Sequence, residues 1–211
     1  MKYVNLYTRQ HKNSLYELEK RGIITNKEFY IKLHMKDISQ WFLNKYKIFV
    51  EMAEKRVKRP IDVNYPIWCS VSKNNCLKPE YNSIVYCLSV PIDEIILFSD
   101  AKWDYVLNNL YIHKDIEDRK EYELQLKKLN VTDEFNFIEG KYKGIYPDIE
   151  KKIISSWDRI FDVDEAGEYE LQANLWHIKK QWVKHIVNFG EDLFEIAKDM
   201  DYSFKKKNFL I

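Results

Sequence analysis

The stretch YVNLYTRQHKNSLYELEKRG, residues 3–22, sets the start of the fold as a strand, a helix and a glycine turn. Apolar and polar side chains alternate from Tyr3 onward, which is the periodicity of a strand with one buried face. Ser14, followed three residues later by Glu17, is typical of a capping box. The pattern predicts a helix that begins there and ends at Gly22.

Predicted helices and predicted strands alternate along the remainder of the chain. The helices are expected over residues 37–58, 99–110, 116–129, 147–161 and 190–199, and the strands over residues 66–72, 83–90 and 94–98. We therefore expect an α+β fold, with a mixed or split antiparallel sheet and flanking helices. A single domain should cover residues 1–211, with a basic tail from about residue 200 that contains Lys205 to Lys207.

One late segment, residues 169–189, fits two patterns. Its apolar residues fall on one face of a helix, whereas the alternation of Leu171, Ala173 and Leu175 with polar neighbours fits a strand. We favour two strands joined by a turn near Lys179-Lys180, and a continuous helix stays the alternative.

Composition excludes several classes of protein. Hydrophobic residues make up 45% of the 211 and charged residues 32%, which excludes a disordered chain. The formal net charge of +1 provides no overall field toward nucleic acid or an anionic membrane. Only 5 glycines are present and no glycine-rich phosphate motif occurs, so Rossmann-type and Walker-type nucleotide sites lack their signature.

The cysteines and the apolar runs indicate the compartment. Cys69, Cys76 and Cys87 include no C-x-x-C pair and have no histidines at zinc spacing, so we expect buried free thiols and no metal site. The longest nearly apolar run, residues 84–92, is far shorter than the ~20 residues that span a bilayer. The amino terminus alternates as a strand does, unlike a signal peptide. A cytoplasmic protein with no membrane partner is expected.

Two groups of polar residues could serve a ligand. Thr8 and Gln10 continue the buried face of the first strand to its end, where a neighbouring cleft could supply their hydrogen-bond partners. If residues 168–176 are extended, two carboxylates and two amides project from one face and could stabilise a developing cation or bind ribose hydroxyls; these are Glu168, Glu170, Gln172 and Asn174. The plain alternatives are a water-satisfied strand end and a solvent-exposed strand face.

The chain resembles a family of small bacterial proteins known as a domain of unknown function. The shared patterns are Thr-x-Gln, Tyr-Pro-Ile-Trp, Lys-Pro, Leu-x-Ser-Asp-x-x-Trp-x-x-Val-Leu-Asn, Ser-Trp-x-x-Ile-Phe and Gln-Ala-x-x-Trp. They stand in this order at residues 8–10, 65–68, 78–79, 97–108, 156–161 and 172–176. This resemblance implies a shared fold and brings no activity with it.

A more distant resemblance is to the ADP-ribosyltransferase superfamily. Its members contain, in this order along the chain, a strand with a polar end, a helix, a glycine turn, a middle strand with an aromatic or Ser residue, and a late Glu or Gln before a hairpin. The resemblance implies that Thr8 and Gln10 hold the nicotinamide riboside of NAD, and that Trp68 or Ser70 lines the nicotinamide pocket. Tyr65, Trp68 and Trp176 are aromatic side chains that could stack on a ligand ring.

The same resemblance implies a catalytic role for the late polar residues. Glu168, Glu170 or Gln172 would bind the ribose hydroxyl and stabilise an oxocarbenium-like transition state. Two departures from the superfamily pattern stand out. Thr8-Arg-Gln10 replaces the usual Arg or His, and Gln172 occupies the position most typical of the catalytic Glu, which leaves binding intact and puts transfer in doubt.

Two hypotheses from different classes follow. The leading one is an NAD-dependent, ADP-ribosyltransferase-like enzyme that modifies a macromolecular target, as a toxin or phage-defence effector with an antitoxin or regulatory partner. The other is a non-catalytic interaction module whose aromatic-rich surface binds a protein partner or nucleic acid. A continuous helix over residues 168–189 would remove the central residues of the first hypothesis.

Overall fold

The computed structural model describes residues 2–204, so the predicted basic tail at residues 205–207 lies outside the described residues. The strands are β1 Tyr3–His11, β2 Ile23–Ile24, β3 Ile67–Ser70, β4 Ser83–Pro91, β5 Ile96–Ser99, β6 Leu171–Leu175, β7 Ile178–Lys179 and β8 Val183–Val187. The helices are α1 Ser14–Arg21, α2 Glu28–Met35, α3 Ser39–Ala53, α4 Asp100–Leu107, α5 Ile116–Lys128, α6 Asn136–Glu139, α7 Pro147–Ser156 and α8 Leu193–Ile196. The predicted α+β class is confirmed.

The main sheet has six strands in the order β5-β6-β3-β1-β4-β8, and β2 pairs with β7 in a separate two-stranded sheet. The strand β1 is central, because Tyr7 lies opposite Ser70 of β3 on one side and opposite Cys87 of β4 on the other. Ser70 in turn lies opposite Gln172 of β6. These ladders are antiparallel, which confirms the predicted antiparallel character of the sheet.

The late segment is extended, as we favoured, but it does not form a hairpin of two paired strands. β6 pairs with β3, whereas β8 pairs with β4 on the far side of β1. The chain leaves β6 at Trp176-His177, β7 follows, and a single 3-10 turn at Lys180–Trp182 leads into β8. The turn predicted near Lys179-Lys180 is therefore present, but the strands on either side of it, β7 and β8, pair with β2 and β4 and not with each other. Alternation of side chains reports an extended backbone but carries no information about which remote strand completes its hydrogen bonds.

The start of α1 differs from the predicted capping box. Asn13 precedes the helix, and no side chain caps its first amides. The Ser14 hydroxyl instead lies 3.0 Å from the hydroxyl of Tyr86 on β4. The side chain that a capping box would use to cap the helix therefore forms a tertiary hydrogen bond. The end of the helix is as predicted, because Gly22 adopts a left-handed φ of 71° that favours glycine.

The long helix predicted over residues 37–58 is shorter and has a helical neighbour that sequence patterns missed. α3 ends at Ala53, and α2 precedes it. Beyond α3, the Arg56 guanidinium donates to the carbonyl oxygen of Met52 (3.0 Å), and the Val57 carbonyl accepts a tertiary hydrogen bond from the indole of Trp176 (2.8 Å). Tertiary partners therefore take up carbonyl groups at this end, where a helix leaves them free.

The described residues divide into two compact units, residues 2–97 with 166–204 and residues 98–165. In the first unit one face of β1, β4 and β8 packs against α8 and the residues after it. This buried cluster contains Tyr7, Val85, Cys87, Val187, Leu193, Ala197 and Met200. None of the helices in the described part of the chain is both long and apolar enough to cross a bilayer.

The second unit is built from α4 to α7 and is held by buried polar contacts. The indole of Trp157 donates to the Leu110 carbonyl at 2.9 Å, and Arg159 donates to the Ile112 carbonyl. The rings of Tyr111 and Tyr122 lie with their centroids 4.4 Å apart. Because these contacts bind loop carbonyls to the helices, they order a unit that contains no complete sheet of its own.

Candidate functional site

A cleft of about 420 Å³ opens in the first unit beside the carboxyl end of β1. We call it the β1 cleft and define it by polar or aromatic residues from β1, α1, the loop after β2, α2 and the start of β4. These are Gln10, Ser14, Glu17, Asn26, Tyr30 and Ser83. The volume falls within the range of about 300–1,000 Å³ that is usual for small-molecule pockets.

Thr8 and Gln10, which were predicted to hold a ligand, lie together at this cleft. Thr8 is only 3% exposed, and its Oγ1 lies 2.7 Å from the carbonyl oxygen of Trp68. Gln10 lines the cleft, and its Nε2 donates to Thr8 Oγ1 at 2.8 Å. Thr8 is therefore buried behind the cleft wall, and Gln10 is the member of this pair that lines the cleft.

Two further residues of the cleft wall have partners within the protein: the side-chain amide of Asn26 is hydrogen-bonded, and the carboxylate of Glu17 is in an ion pair. Asn26 donates from Nδ2 to the Pro66 carbonyl oxygen at 2.9 Å. The carboxylate of Glu17 forms an ion pair with the ammonium of Lys27. Neither residue was predicted, because Asn26 lies in an irregular loop and Glu17 was interpreted only as part of a helix cap.

Arg9 stands between the two predicted residues in the sequence, and its side chain is already engaged. Its guanidinium pairs with Glu80 and donates to the Lys78 carbonyl at 3.2 Å. Arg9 also lines the β1 cleft, as does Glu80, so the cleft wall contains this cation already paired with a carboxylate. A free cation for an anionic ligand is thus not provided by Arg9.

The late polar residues lie at a second place, which we call the β3–β6 surface and define by Ser70, Ser72, Asn74, Glu168 and Gln172. Glu168 accepts hydrogen bonds from the Ser72 hydroxyl and from Asn74 Nδ2 (2.9 Å). Gln172 is half-buried and lies in register with Ser70. The carboxylate of Glu168 therefore anchors the turn after β3.

Three other members of the predicted set complete this description. Glu170 is exposed to solvent. The Ser70 hydroxyl donates to the Asn75 carbonyl at 3.0 Å, which turns it toward the protein's own backbone. Asn174, two residues beyond Gln172, is fully buried, and neither polar atom of its side chain has a partner among the described residues.

The register of the sheet separates the two groups. Tyr7 lies opposite Ser70, and Ser70 lies opposite Gln172, so these three side chains share one face. Thr8 and Gln10 alternate with Tyr7 and project from the other face. Gln10 and Gln172 are two strands and three residues apart, which corresponds to about 14 Å between their Cα atoms at standard strand spacings. The predicted residues thus form two sites rather than one.

Two predicted stacking residues are packed against α3. Trp68 lies against Tyr46 and Phe49, with ring centroids 5.8 Å and 5.6 Å away. Tyr65 is 7% exposed and donates from its hydroxyl to the Glu28 carboxylate at 3.0 Å. Burial, and then the hydrogen bond to Glu28, raise the pKa of Tyr65 to about 12. Both rings are parts of the core wall.

Trp176 is also placed in the core. It is 2% exposed, and its indole nitrogen donates to the Val57 carbonyl oxygen at 2.8 Å. A side chain with its face covered and its single donor used has no surface left for a ligand ring.

The cysteines supply no nucleophile. Cys69 and Cys87 are buried and Cys76 is half-buried, and all three are free thiols. Burial raises the pKa of Cys69, and it raises the pKa of Cys76 and Cys87 to about 12. Thiolates are therefore scarce at neutral pH, and nucleophilic catalysis by cysteine has no support.

Comparison with known protein families gives one match. Residues 5–184 match the family model described as Domain of unknown function (DUF3841). Searches of curated proteins and of solved structures return no match.

Proposed function

The chain belongs to the DUF3841 domain family, and we propose that it is an NAD-binding protein of the ADP-ribosyltransferase type that holds the nicotinamide riboside end of NAD in the β1 cleft. The observation that carries this proposal is the cleft itself. It opens beside Gln10 with a volume of about 420 Å³, and polar side chains from β1, α1 and the loop after β2 form its wall. A concave site with a few convergent polar groups is the usual form of a small-molecule site.

The order of the elements also supports the proposal. β1 leads into α1 and the left-handed turn at Gly22. β3 lies beside β1, and β6 lies beside β3, so the strands that carry the predicted polar residues are neighbours in one sheet. This order agrees with the one that the resemblance to the ADP-ribosyltransferase superfamily implies as far as the late Gln, but the hairpin expected after it is not formed.

The geometry favours binding over transfer. Glu168 already accepts two side-chain hydrogen bonds and lies in the turn before β6, not in the extended segment that was predicted. Gln172 carries no charge and projects from the face of the sheet opposite Gln10. A carboxylate stabilises a cationic transition state only when it stands against the reacting carbon. Modification of a macromolecular target, and with it a toxin or phage-defence role, would require Glu170 or Gln172 to reach that carbon.

A thermal-shift titration tests the binding. At 100 times its dissociation constant, a ligand of the folded state adds about 2.7 kcal/mol to the free energy of unfolding. In a chain of this size, that corresponds to a rise in Tm of roughly 5–10 °C. Gln10→Met should reduce the rise, whereas Gln172→Met, on the other face, should keep it in full. An unchanged Tm for the folded wild type at millimolar NAD would refute the proposal.

Nicotinamide release decides between binding and transfer. We expect NAD to bind without measurable release of nicotinamide when the products are separated by chromatography. Release that disappears in Glu170→Gln, while the thermal shift persists, would establish a transferase or hydrolase instead.

A second function is favoured by the exposed apolar side chains of α2 and the start of α3. Phe29 and Leu33 stand one helical turn apart and are 68% and 62% exposed, and Ile38 is 56% exposed. Apolar side chains that share an exposed helix face are typical of surfaces that bind another protein. This observation supports a non-catalytic interaction module.

The two functions differ in a simple measurement. If α2 binds a protein partner, a photo-crosslinker at Phe29, which is exposed and does not line the β1 cleft, should give a discrete adduct in a cell extract. One at the exposed Lys36, just beyond the end of α2, serves as its positional control. No NAD-dependent shift would accompany it. Equal labelling from both positions would count against a defined partner.

A further inference from the structure

We propose that the β1 cleft selects ligands that donate a hydrogen bond to it, and that Thr8 is the positioning residue that sets this selectivity. The inference rests on the proposed function only for the identity of the natural ligand, the carboxamide end of NAD. The selectivity itself follows from the number of protons that the buried groups possess.

The hydroxyl of Thr8 has one proton, and its partner decides where that proton lies. Thr8 Oγ1 is 2.7 Å from the carbonyl oxygen of Trp68, and a carbonyl oxygen can only accept. The hydroxyl therefore donates to Trp68, and only its lone pairs remain for Gln10. Thr8 is 3% exposed, so bulk water does not compete for these positions.

The orientation of the Gln10 amide follows from this. The atom of Gln10 that lies 2.8 Å from Thr8 Oγ1 must be the nitrogen, because an oxygen there would place two acceptors in contact with no proton between them. The amide oxygen, Oε1, is then the end left for the cleft that Gln10 lines. A network of neighbours fixes this assignment, as an amide orientation requires.

The same reasoning applies to a second amide of the wall. Asn26 lies 2.9 Å from the Pro66 carbonyl oxygen, so its nitrogen must face that carbonyl and its oxygen is left over. Glu17, a third wall residue, offers only acceptor oxygens when ionised, whatever its ion pair with Lys27. Three elements, β1, α1 and the loop after β2, thus each present an acceptor to the cleft. The wall also contains donor groups, among them Arg9, whose guanidinium is taken up by Glu80 and the Lys78 carbonyl.

The oriented amide oxygens of Gln10 and Asn26 recognise amide N–H groups, hydroxyls and ammonium groups, and they disfavour a carboxylate placed against them. The nicotinamide end of NAD carries a primary amide, and its deamidated counterpart, nicotinic acid adenine dinucleotide, carries a carboxylate in the same place. Sites built to hydrogen-bond a group reject analogues that lack it, because their own buried polar groups are then left unpaired. We expect the deamidated dinucleotide to bind roughly 10- to 100-fold more weakly than NAD.

Calorimetric titration of the full chain tests the selectivity with two ligand pairs, NAD against nicotinic acid adenine dinucleotide and nicotinamide against nicotinate. The wild type and Thr8→Ser, which keeps the hydroxyl, should prefer the amide of each pair. Thr8→Val, which keeps the shape and removes the hydroxyl, should reduce the preference to within about threefold, because the Gln10 amide can then rotate. Gln10→Met, at a half-buried position, should reduce it as well and does not depend on the stability of the Thr8 variant.

The outcomes separate the inference from the proposed function. Equal binding of both dinucleotides to the wild type, or an undiminished preference in both Thr8→Val and Gln10→Met, would overturn the inference while NAD binding stands. A preference for nicotinamide over nicotinate that depends on Thr8, with no binding of NAD, would support the inference and overturn the proposed function. Failure of both amide ligands to bind would overturn both.

Discussion

Trp176→Phe is the substitution that best separates a core role from a ligand-stacking role. Trp176 is 2% exposed, and its indole nitrogen donates to the Val57 carbonyl oxygen at 2.8 Å. Phenylalanine keeps an aromatic ring at the site but removes the donor and part of the volume. The structure therefore predicts a loss of stability with no change in ligand affinity.

The magnitude follows from two contributions. The shorter side chain leaves a cavity of roughly 40 Å³, which costs about 1 kcal/mol at ~24 cal/mol per Å³. Loss of the hydrogen bond, with the Val57 carbonyl left unsatisfied, costs about 1–2 kcal/mol more. The free energy of unfolding should fall by about 2–3 kcal/mol in total, which corresponds to a Tm lower by roughly 4–12 °C for a chain of this length.

Urea unfolding followed by far-UV circular dichroism measures this loss without depending on tryptophan fluorescence. The matched control is Trp41→Phe, since Trp41 is 38% exposed and its substitution should change the free energy of unfolding by less than about 0.5 kcal/mol. A loss below about 1 kcal/mol for Trp176→Phe, together with weaker NAD binding, would refute the core role and restore Trp176 as a stacking residue.

Three further substitutions test the packing of the first unit. Asn174→Leu should raise the free energy of unfolding by about 1–2 kcal/mol in urea titrations, because a fully buried amide without a described partner is replaced by an apolar side chain of similar size; a loss of stability would contradict this. Tyr7→Phe removes the hydrogen bond from the Tyr7 hydroxyl to the Met200 carbonyl (3.1 Å), so the free energy of unfolding should fall by about 1 kcal/mol. Proteolysis after α8 should become faster. Unchanged proteolysis would show that this hydrogen bond does not hold the segment. Burial, with the nearby charge of Lys179, lowers the pKa of His177, so the unfolded state binds its proton more readily and stability should rise with pH up to about 6.5. His177→Gln should weaken this dependence in unfolding titrations across that range, and an identical pH profile would exclude His177 as a cause.

The fold elements that sequence patterns predicted are those decided by near neighbours. Alternation from Tyr3 predicted β1, and the positive φ at Gly22 ended α1 where a glycine allows it. The apolar stripe before Pro60 predicted α3 but overran its end, because Val57 offers its carbonyl to Trp176. That partner is more than one hundred residues away in sequence, and no local pattern contains it.

The candidate site shows the same division. Thr8 and Gln10 were identified from parity alone, since the buried face of β1 continues to its end. Their separation from Gln172 was not predictable, because it depends on Tyr7, Ser70 and Gln172 standing opposite one another across three strands. A shift of one residue in that register would move Gln172 to the face from which Gln10 projects.

The sequence by itself determined an α+β chain, the main strands and helices with approximate bounds, and Gln10 as a polar residue at the end of a buried strand face. These features depend on side-chain periodicity and backbone preferences, which act over a few residues. Only the tertiary structure decided the strand order, the burial of Trp176, and the β1 cleft with the hydrogen bonds that hold the amides of its wall. Those features depend on hydrogen bonds to carbonyl oxygens that are distant in the sequence. Thr8 donates to the carbonyl of Trp68, and Asn26 donates to the carbonyl of Pro66.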